Sequence, residues 1–462
     1  MGEILKAYIV PHPPIIVPEI GKGEEKAAKA TIDAYEEIAR QIKELAPETI
    51  IITTPHGTVY SDYIHISPGN KLKGNFGNFG APGLKYEFIN DTILIDKITK
   101  KALDYGIDAG TLGAREKELD HGSLLPLYYI TKYYSNFSLV RISISGLPLE
   151  LHYKFGSCIQ KALASYDKKV VFIGSGDLSH KLRHEGPYGF AEEGPVFDNL
   201  LVEAVKTSDF KKMMDLDENL CELAGECGLR SFAILAGALN GYNVKSKVLS
   251  YEGPFGVGYM IAELELDGED LSRDLLSFYE CKLKSEIEAT RKAEDPYVSL
   301  ARTALEHYVT KGKVLDVPDY LPEEILNRKA GVFVTINKHG RLRGCIGTIS
   351  PVTDNIAKEI IQNAISAGTR DPRFNPVKEY ELSDLIYSVD VLGEPEPIDS
   401  IDKLDVKRYG VIVTSGYRRG LLLPDLEGVD TPLQQVEIAL AKANISKDED
   451  YELERFEVIR HR

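Results

Sequence analysis

Four of the ten histidines stand in related surroundings. His12 lies in Pro11-His12-Pro13-Pro14 and His56 in Thr54-Pro55-His56-Gly57. His121 lies in Leu119-Asp120-His121-Gly122, and His180 closes Gly174-Ser175-Gly176-Asp177-Leu178-Ser179-His180. A lone loop histidine is usually a hydrogen-bonding group. Four with matching placement, three of them flanked by Pro or Gly that fix the local backbone, argue for a shared site. Imidazoles that converge with a carboxylate suit a divalent transition metal, and two histidines with one carboxylate leave open positions on iron. The candidate carboxylate is Glu226, in Ala224-Gly225-Glu226-Cys227-Gly228. An acid ahead of a helix is equally explained by the helix dipole. The flanking glycines, which allow close backbone approach, favour a ligand. Cys227 is a softer competitor for the same role. A hydrolytic zinc site could use the same histidines, so the spacing leaves both iron and zinc open.

The elements that must hold these residues follow from hydrophobic patterning. Ile4–Val10 is an apolar run that stops at Pro11, and Thr49–Thr54 is rich in β-branched residues and stops at Pro55. Lys169–Ile173 is a third apolar run, ending in Gly174. Between the first two, Ala28, Ile32, Tyr35, Ala39 and Ile42 recur at helical spacing. Ser231–Leu239 reads as an apolar helix. Buried strands separated by amphipathic helices predict a layered α/β domain. His12, His56 and His180 then each follow the C-terminal end of a strand, the edge where open α/β sheets bind ligands.

The 462 residues suit two or three domains. Near Glu263–Asp274 the chain turns acidic and loses its strand pattern, and a polar helix is expected from about Leu271 to Lys292. The predicted division is a first domain over 1–268, a helical linker over 269–292 and a smaller α+β domain over 293–462. In that last part Tyr297–Tyr308 and Asp354–Ala367 have helical period. Gly331–Ile336, Leu342–Ile346, Tyr387–Val391 and Tyr409–Thr414 read as strands, with Asn337-Lys338-His339-Gly340 as a turn.

Lys and Arg number 55 against 71 Asp and Glu, a net charge of −16. Such an excess of acid excludes a general nucleic-acid binder, and no polybasic segment favours an anionic membrane surface. No apolar run approaches the ~20 residues of a membrane span, and Met1–Lys6 lacks the pattern of a secretory signal. Five scattered cysteines form no CxxC pair. The expected compartment is the reducing cytoplasm.

Two further motifs lie in the second half. In Leu342-Arg343-Gly344-Cys345-Ile346-Gly347-Thr348, Cys345 between glycines reads either as a reactive thiol or as a small residue where backbones pack closely. Thr369-Arg370-Asp371-Pro372-Arg373-Phe374 reads as a solvated ion-pair loop or as an edge that binds anions or peptides.

Over about residues 4–265 the motifs around the four histidines, with Gly253-Pro254-Phe255-Gly256-Val257-Gly258-Tyr259, resemble the LigB-type class III extradiol dioxygenases and more distantly the Memo proteins. The resemblance implies that His12, His56 and Glu226 bind ferrous iron. His180 would be the acid/base, and His121 would stand near substrate and oxygen. It implies cleavage of a catechol-like aromatic ring beside its diol, with O₂ as co-substrate. Memo-like relatives have a cysteine among their metal-site residues, a variant that Cys227 allows. Over about 290–460 the chain is similar to the AMMECR family, through Ser299-Leu300-Ala301-Arg302, Gly331-Val332-Phe333-Val334-Thr335, Leu342–Thr348 and Asp371-Pro372-Arg373-Phe374. That family occurs beside Memo-type and radical-SAM proteins in the grouping called AmmeMemoRadiSam. The implied alternative is a metal-binding redox or modification protein working with a radical-SAM enzyme on a peptide or protein. The second domain would bind substrate or partner.

Overall fold

The computed structural model describes residues 2–115, 118–426 and 428–462. The chain divides into two units, Met1–Cys281 and Lys282–Arg462. The division falls within a helix of 19 residues, Leu275–Ala293, close to the polar helix expected from about Leu271. Among the described residues no helix is long and apolar enough to cross a membrane.

The first unit is built on a six-stranded sheet. Its strands are β1 (Glu3–Val10), β2 (Thr49–Thr54), β3 (Ser138–Ser143), β4 (Lys169–Ser175), β5 (Tyr242–Glu252) and β6 (Tyr259–Glu269). They run in the order β3-β2-β4-β1-β6-β5. The first four are mutually parallel, whereas β6 and β5 are antiparallel additions beside β1. Side chains alternate across the pleat. Ile9, Ile51, Val140 and Phe172 enter one core, and Tyr8, Val10, Ile50, Ile52, Val171 and Ile173 enter the other. The helices α1 (Lys29–Leu45), α2 (Thr92–Asp104), α3 (His121–Thr131), α4 (Leu149–Leu163) and α5 (Leu229–Ala238) cover the two faces. Tyr35, Ile38 and Ile42 of α1 join Leu125 and Tyr129 of α3 on one side. Ile98 of α2, Phe155 of α4 and Phe232 of α5 lie on the other. The unit is thus the layered α/β domain expected, with β2 buried along its whole length. All four parallel strands end at one edge, and the loops of His12, His56 and His180 leave from it.

The second unit is α+β. Its sheet strands are β7 (Val332–Lys338), β8 (Arg341–Gly347), β9 (Leu385–Leu392), β10 (Glu396–Ile398), β11 (Tyr409–Ser415), β12 (Arg418–Leu422) and β13 (Glu452–His461). They run β8-β7-β9-β13-β11-β12, with β10 also on β13. The predicted turn joins β7 to β8 with His339 at φ 51° and Gly340 at φ 73°. Two successive positive φ values are those of the tight hairpin turn whose twist matches its strands. Val334, Ile336 and Val389 pack under the helices Pro296–Lys311 and Ile356–Thr369. Val411, Val413 and Leu422 pack under Pro432–Ala443.

Candidate metal centre

His12 follows β1 by two residues and is 1% exposed. Its backbone N–H donates to Asp177 Oδ1 at 2.7 Å, which ties the Pro-rich turn to the segment after β4. Ser175, the last residue of β4, donates its hydroxyl to the Gly122 carbonyl at 2.6 Å. With that proton committed, Ser175 Oγ accepts from His12 Nδ1 at 3.0 Å. The hydrogen therefore sits on Nδ1, and the lone pair of Nε2 is free for a ligand, as in metal-binding histidines held by a partner behind the ring.

His56 follows β2 by two residues. Its Nε2 lies 2.9 Å from His12 Nε2, and Cys227 Sγ lies 3.6 Å from the same nitrogen. The donor atoms of His12, His56 and Cys227 all fall within 4.8 Å of one another. A tetrahedral ion with bonds of about 2.0 Å to nitrogen and 2.3 Å to sulfur spaces its ligands by roughly 3.3 Å (N to N) and 3.5 Å (N to S). The sulfur distance fits as it stands, and the two nitrogens need to part by a few tenths of an ångström. The donor set therefore fits a metal ion.

Cys227 is held there by backbone. Its Sγ accepts the Asp177 amide at 3.3 Å. The approach requires glycines: a Cβ on Gly176 would stand 2.1 Å from the Gly228 Cα. Asp177 and His180 form a second group with Cys227, again with donor atoms within 4.8 Å. The expectation that Glu226 supplies the third ligand is not what the geometry brings together. Glu226 Oε2 accepts the Leu229 amide at 2.7 Å and caps the start of α5, and it is in neither group.

His121 is the first residue of α3, whose preceding Asp120 accepts the Ser123 amide at 3.0 Å. Its ring stacks on His56 with centroids 4.2 Å apart and lies 5.3 Å from that of His12. Phe79 packs against its edge at 5.3 Å, and His180 stacks on Tyr188 at 5.0 Å. The structure thus gathers His12, His56 and His121, with His180 joined through the Asp177 and Cys227 group. Burial lowers the basicity of all four imidazoles. It acts with the neighbouring His56 to bring His121 and His180 down to about 4. At neutral pH the site therefore presents uncharged nitrogen lone pairs. Burial moves Asp177 the other way, up to about 7 despite the His12 amide, and pushes the Cys227 thiol well up. Bringing either to its anionic form here calls for a cation. Asp177 lies outside the residues that the sequence singles out as ligands. Its one signal was the Ser-Gly-Asp that follows a buried strand.

In the second unit the glycine-flanked motif is explained by packing. A Cβ on Gly344 would lie 2.2 Å from the Ala367 carbonyl, so β8 presses directly on the helix Ile356–Thr369. The Cys345 amide donates to Asp371 Oδ2 at 2.9 Å, and Thr335 donates its hydroxyl to Cys345 Sγ at 3.3 Å. Arg373 grips both Asp371 oxygens at 3.0 and 2.7 Å and reaches the Cys345 carbonyl at 3.3 Å. The Asp371 carboxyl is thereby held well below its usual range. This ion pair is a clamp on β8, with the Asp371 side chain only 2% exposed.

Residues 6–262 match the family model described as the catalytic LigB subunit of aromatic ring-opening dioxygenase, and residues 298–461 match AMMECR1. Protein CA_C1420 of Clostridium acetobutylicum is 47% identical over 464 residues, covering 98% of each chain. A Thermotoga maritima protein is 53% identical over 171 residues, 37% of this chain and 98% of its own. The crystal structure of protein PH0010 from Pyrococcus horikoshii is 35% identical with a TM-score of 0.34, over 36% of this chain and 88% of that one. The paired domain matches and the full-length relative make this chain a member of the LigB family, with an AMMECR1 domain following in the same polypeptide.

Proposed function

We propose that the first unit is a metal-dependent oxidoreductase of the Memo-like kind, its ion held by His12, His56 and Cys227. The observation that carries this reading is the meeting of His12 Nε2 with His56 Nε2 and Cys227 Sγ at 2.9 and 3.6 Å, while Ser175 occupies the other face of His12. Two imidazoles and a thiolate suit copper or zinc better than they suit the two-histidine, one-carboxylate centre of ferrous oxygenases. A bound ion with two accessible oxidation states would supply one-electron chemistry, and one without them would supply Lewis acidity. The chain's own contribution is positional. His121 and His180, both uncharged at neutral pH, present nitrogen lone pairs that can accept a hydrogen bond from a hydroxyl or amide of the substrate. Phe79 and Tyr188 offer ring surfaces beside them. The second unit would bind the substrate or a partner, a peptide or a radical-SAM enzyme.

A second reading is a ferrous dioxygenase that opens catechol-like rings with O₂. The family match and the placement of His121 and His180 near His56 favour it. Anaerobic reconstitution with Fe(II), Cu(I) and Zn(II) in turn, followed by metal analysis and oxygen-uptake assays with simple catechols, separates the two. Stoichiometric copper or zinc, lost in Cys227→Ser and retained in Glu226→Gln, with no catechol-dependent uptake, supports the Memo-like reading. Stoichiometric Fe(II) that depends on Glu226, with ring-opened product, overturns it in favour of the dioxygenase. No metal with any of the three overturns the site.

A further inference from the structure

Strand β3 carries a charge where its neighbours are apolar. In Leu139-Val140-Arg141-Ile142 every residue is fully buried, and Arg141 is the largest completely buried side chain among the described residues. On this end strand of the six-stranded sheet it stands in register with Ile52 of β2. A buried guanidinium is costly unless it is paired and hydrogen-bonded. Arg141 Nη1 lies 3.3 Å from Asp120 Oδ2 and 3.5 Å from Ser143 Oγ, and Nη2 donates to the Glu118 carbonyl at 3.3 Å. Among the described residues its Nε has no hydrogen-bond partner. These bonds are long, so stability alone is a weak explanation for placing an arginine here.

Asp120, which Arg141 pairs, is a junction of the candidate centre. It caps α3, whose first residue is His121, by accepting the Ser123 amide at 3.0 Å. It also accepts the Thr54 hydroxyl at 2.6 Å, and Thr54 Oγ1 in turn accepts the His56 amide at 3.2 Å. One carboxylate thereby sets both the start of the His121 helix and the turn that carries His56. The guanidinium supports that turn directly as well. A Cβ on Gly57 would lie 2.0 Å from Arg141 Nη1 and 2.2 Å from Ser143 Oγ. The Pro55-His56-Gly57 turn therefore rests on the arginine, and a side chain at residue 57 would lift it off. The geometry assigns Arg141 as a positioning residue. It fixes His56 and His121 against each other, through Asp120 and through the floor beneath Gly57.

This inference rests on the metal-centre reading, and its test separates the two. The probe is Co(II), added anaerobically to the full-length metal-free protein. Its visible spectrum reports the ligand set and symmetry, including a thiolate charge-transfer band. Arg141→Met alone strands the Asp120 carboxylate in the interior, so the decisive variant is Arg141→Met with Asp120→Asn. That pair removes both charges and keeps an oxygen for the Thr54 hydroxyl and the helix cap. In the wild type one Co(II) per chain with a thiolate band is expected. In the double variant the metal-free melting temperature should stay close to wild type. Co(II) affinity should fall by about tenfold or more, the range for groups that orient metal ligands, and the d–d envelope should shift. Arg141→Lys, which keeps a cation over Asp120 and loses the fork, should fall between. If the double variant binds Co(II) with wild-type affinity and spectrum, the positioning role is overturned and the metal centre stands. If the wild-type chain itself binds no Co(II), both are overturned.

Discussion

The hydroxyl of Ser175 stands between the His12 ring and the Gly122 carbonyl, accepting from Nδ1 at 3.0 Å and donating at 2.6 Å. The end of one strand thereby sets the tautomer of a histidine that follows another. Ser175→Ala removes the acceptor and leaves the His12 ring free to protonate at Nε2, the atom that faces His56 and Cys227. Metal affinity should fall about 10–100-fold, measured by competition with a chromogenic chelator. The loss of one small buried hydroxyl should leave the melting temperature of the metal-free protein within a few degrees.

Glu226 and Cys227 are adjacent and do different work. Glu226→Ala should cost about 1 kcal/mol of stability, the usual value of a helix cap, without changing metal stoichiometry. Cys227→Ser should leave stability nearly unchanged in the metal-free protein and abolish tight binding. Thermal unfolding and elemental analysis of the two variants give opposite patterns if the assignment holds, and matching patterns if it does not.

The contact between Gly176 and Gly228 leaves no room for a methyl group, since the added Cβ would stand 2.1 Å from a backbone carbon. Gly176→Ala should therefore push the Cys227 loop away from Asp177. A loss of about 1–3 kcal/mol is expected from overpacking, together with weakened metal binding. Denaturant unfolding of the metal-free variant, paired with a zinc titration, reads both effects.

The second unit offers a pH test away from the metal centre. Burial alone would raise the Glu381 carboxyl. The Arg343 guanidinium, gripping both oxygens at 3.0 and 2.9 Å, with the Lys378 amide and Lys338, outweighs it and brings the carboxyl to about 2. The folded value is depressed, so the stabilisation is present above the unfolded carboxyl's titration and fades as pH falls from about 5 toward 2. Its size is at most about 3 kcal/mol. Arg343→Met should remove most of that pH dependence, as followed by urea midpoints across the range.

Much of this architecture was legible in the chain. Thr49–Thr54 announces a buried strand because its β-branched residues are covered on both faces, and His12 and His56 could be placed at strand ends for that reason. Other parts were not. Arg141 interrupts an apolar strand with a charge, and its partner at residue 120 is far away in the sequence. Strand β5 buries only Val244 and Ser250 along its length, and so lacks the continuous apolar run that marks the interior strands. That Glu226 and not Cys227 caps α5 is a fact of backbone direction that spacing does not encode. Between a reactive thiol and a close-packing residue at Cys345, the sequence alone does not decide. The flanking Gly344 is there because a helix carbonyl occupies the place of a side chain.

The donors at the candidate centre come from positions that are neighbours only in the folded chain: 44 residues separate His12 from His56, and 215 separate His12 from Cys227. An ion held by all three closes both intervals at a single point, as a cross-link would, and removes the loop-closure entropy that such long intervals give the unfolded chain. Because an unfolded chain cannot assemble these donors, loading favours the native form in proportion to the logarithm of free metal over its dissociation constant. In a chain whose five cysteines form no disulfide among themselves, the ion would be the covalent-like tie of the first unit. Its midpoint of unfolding then becomes a readout of how much metal the surroundings supply.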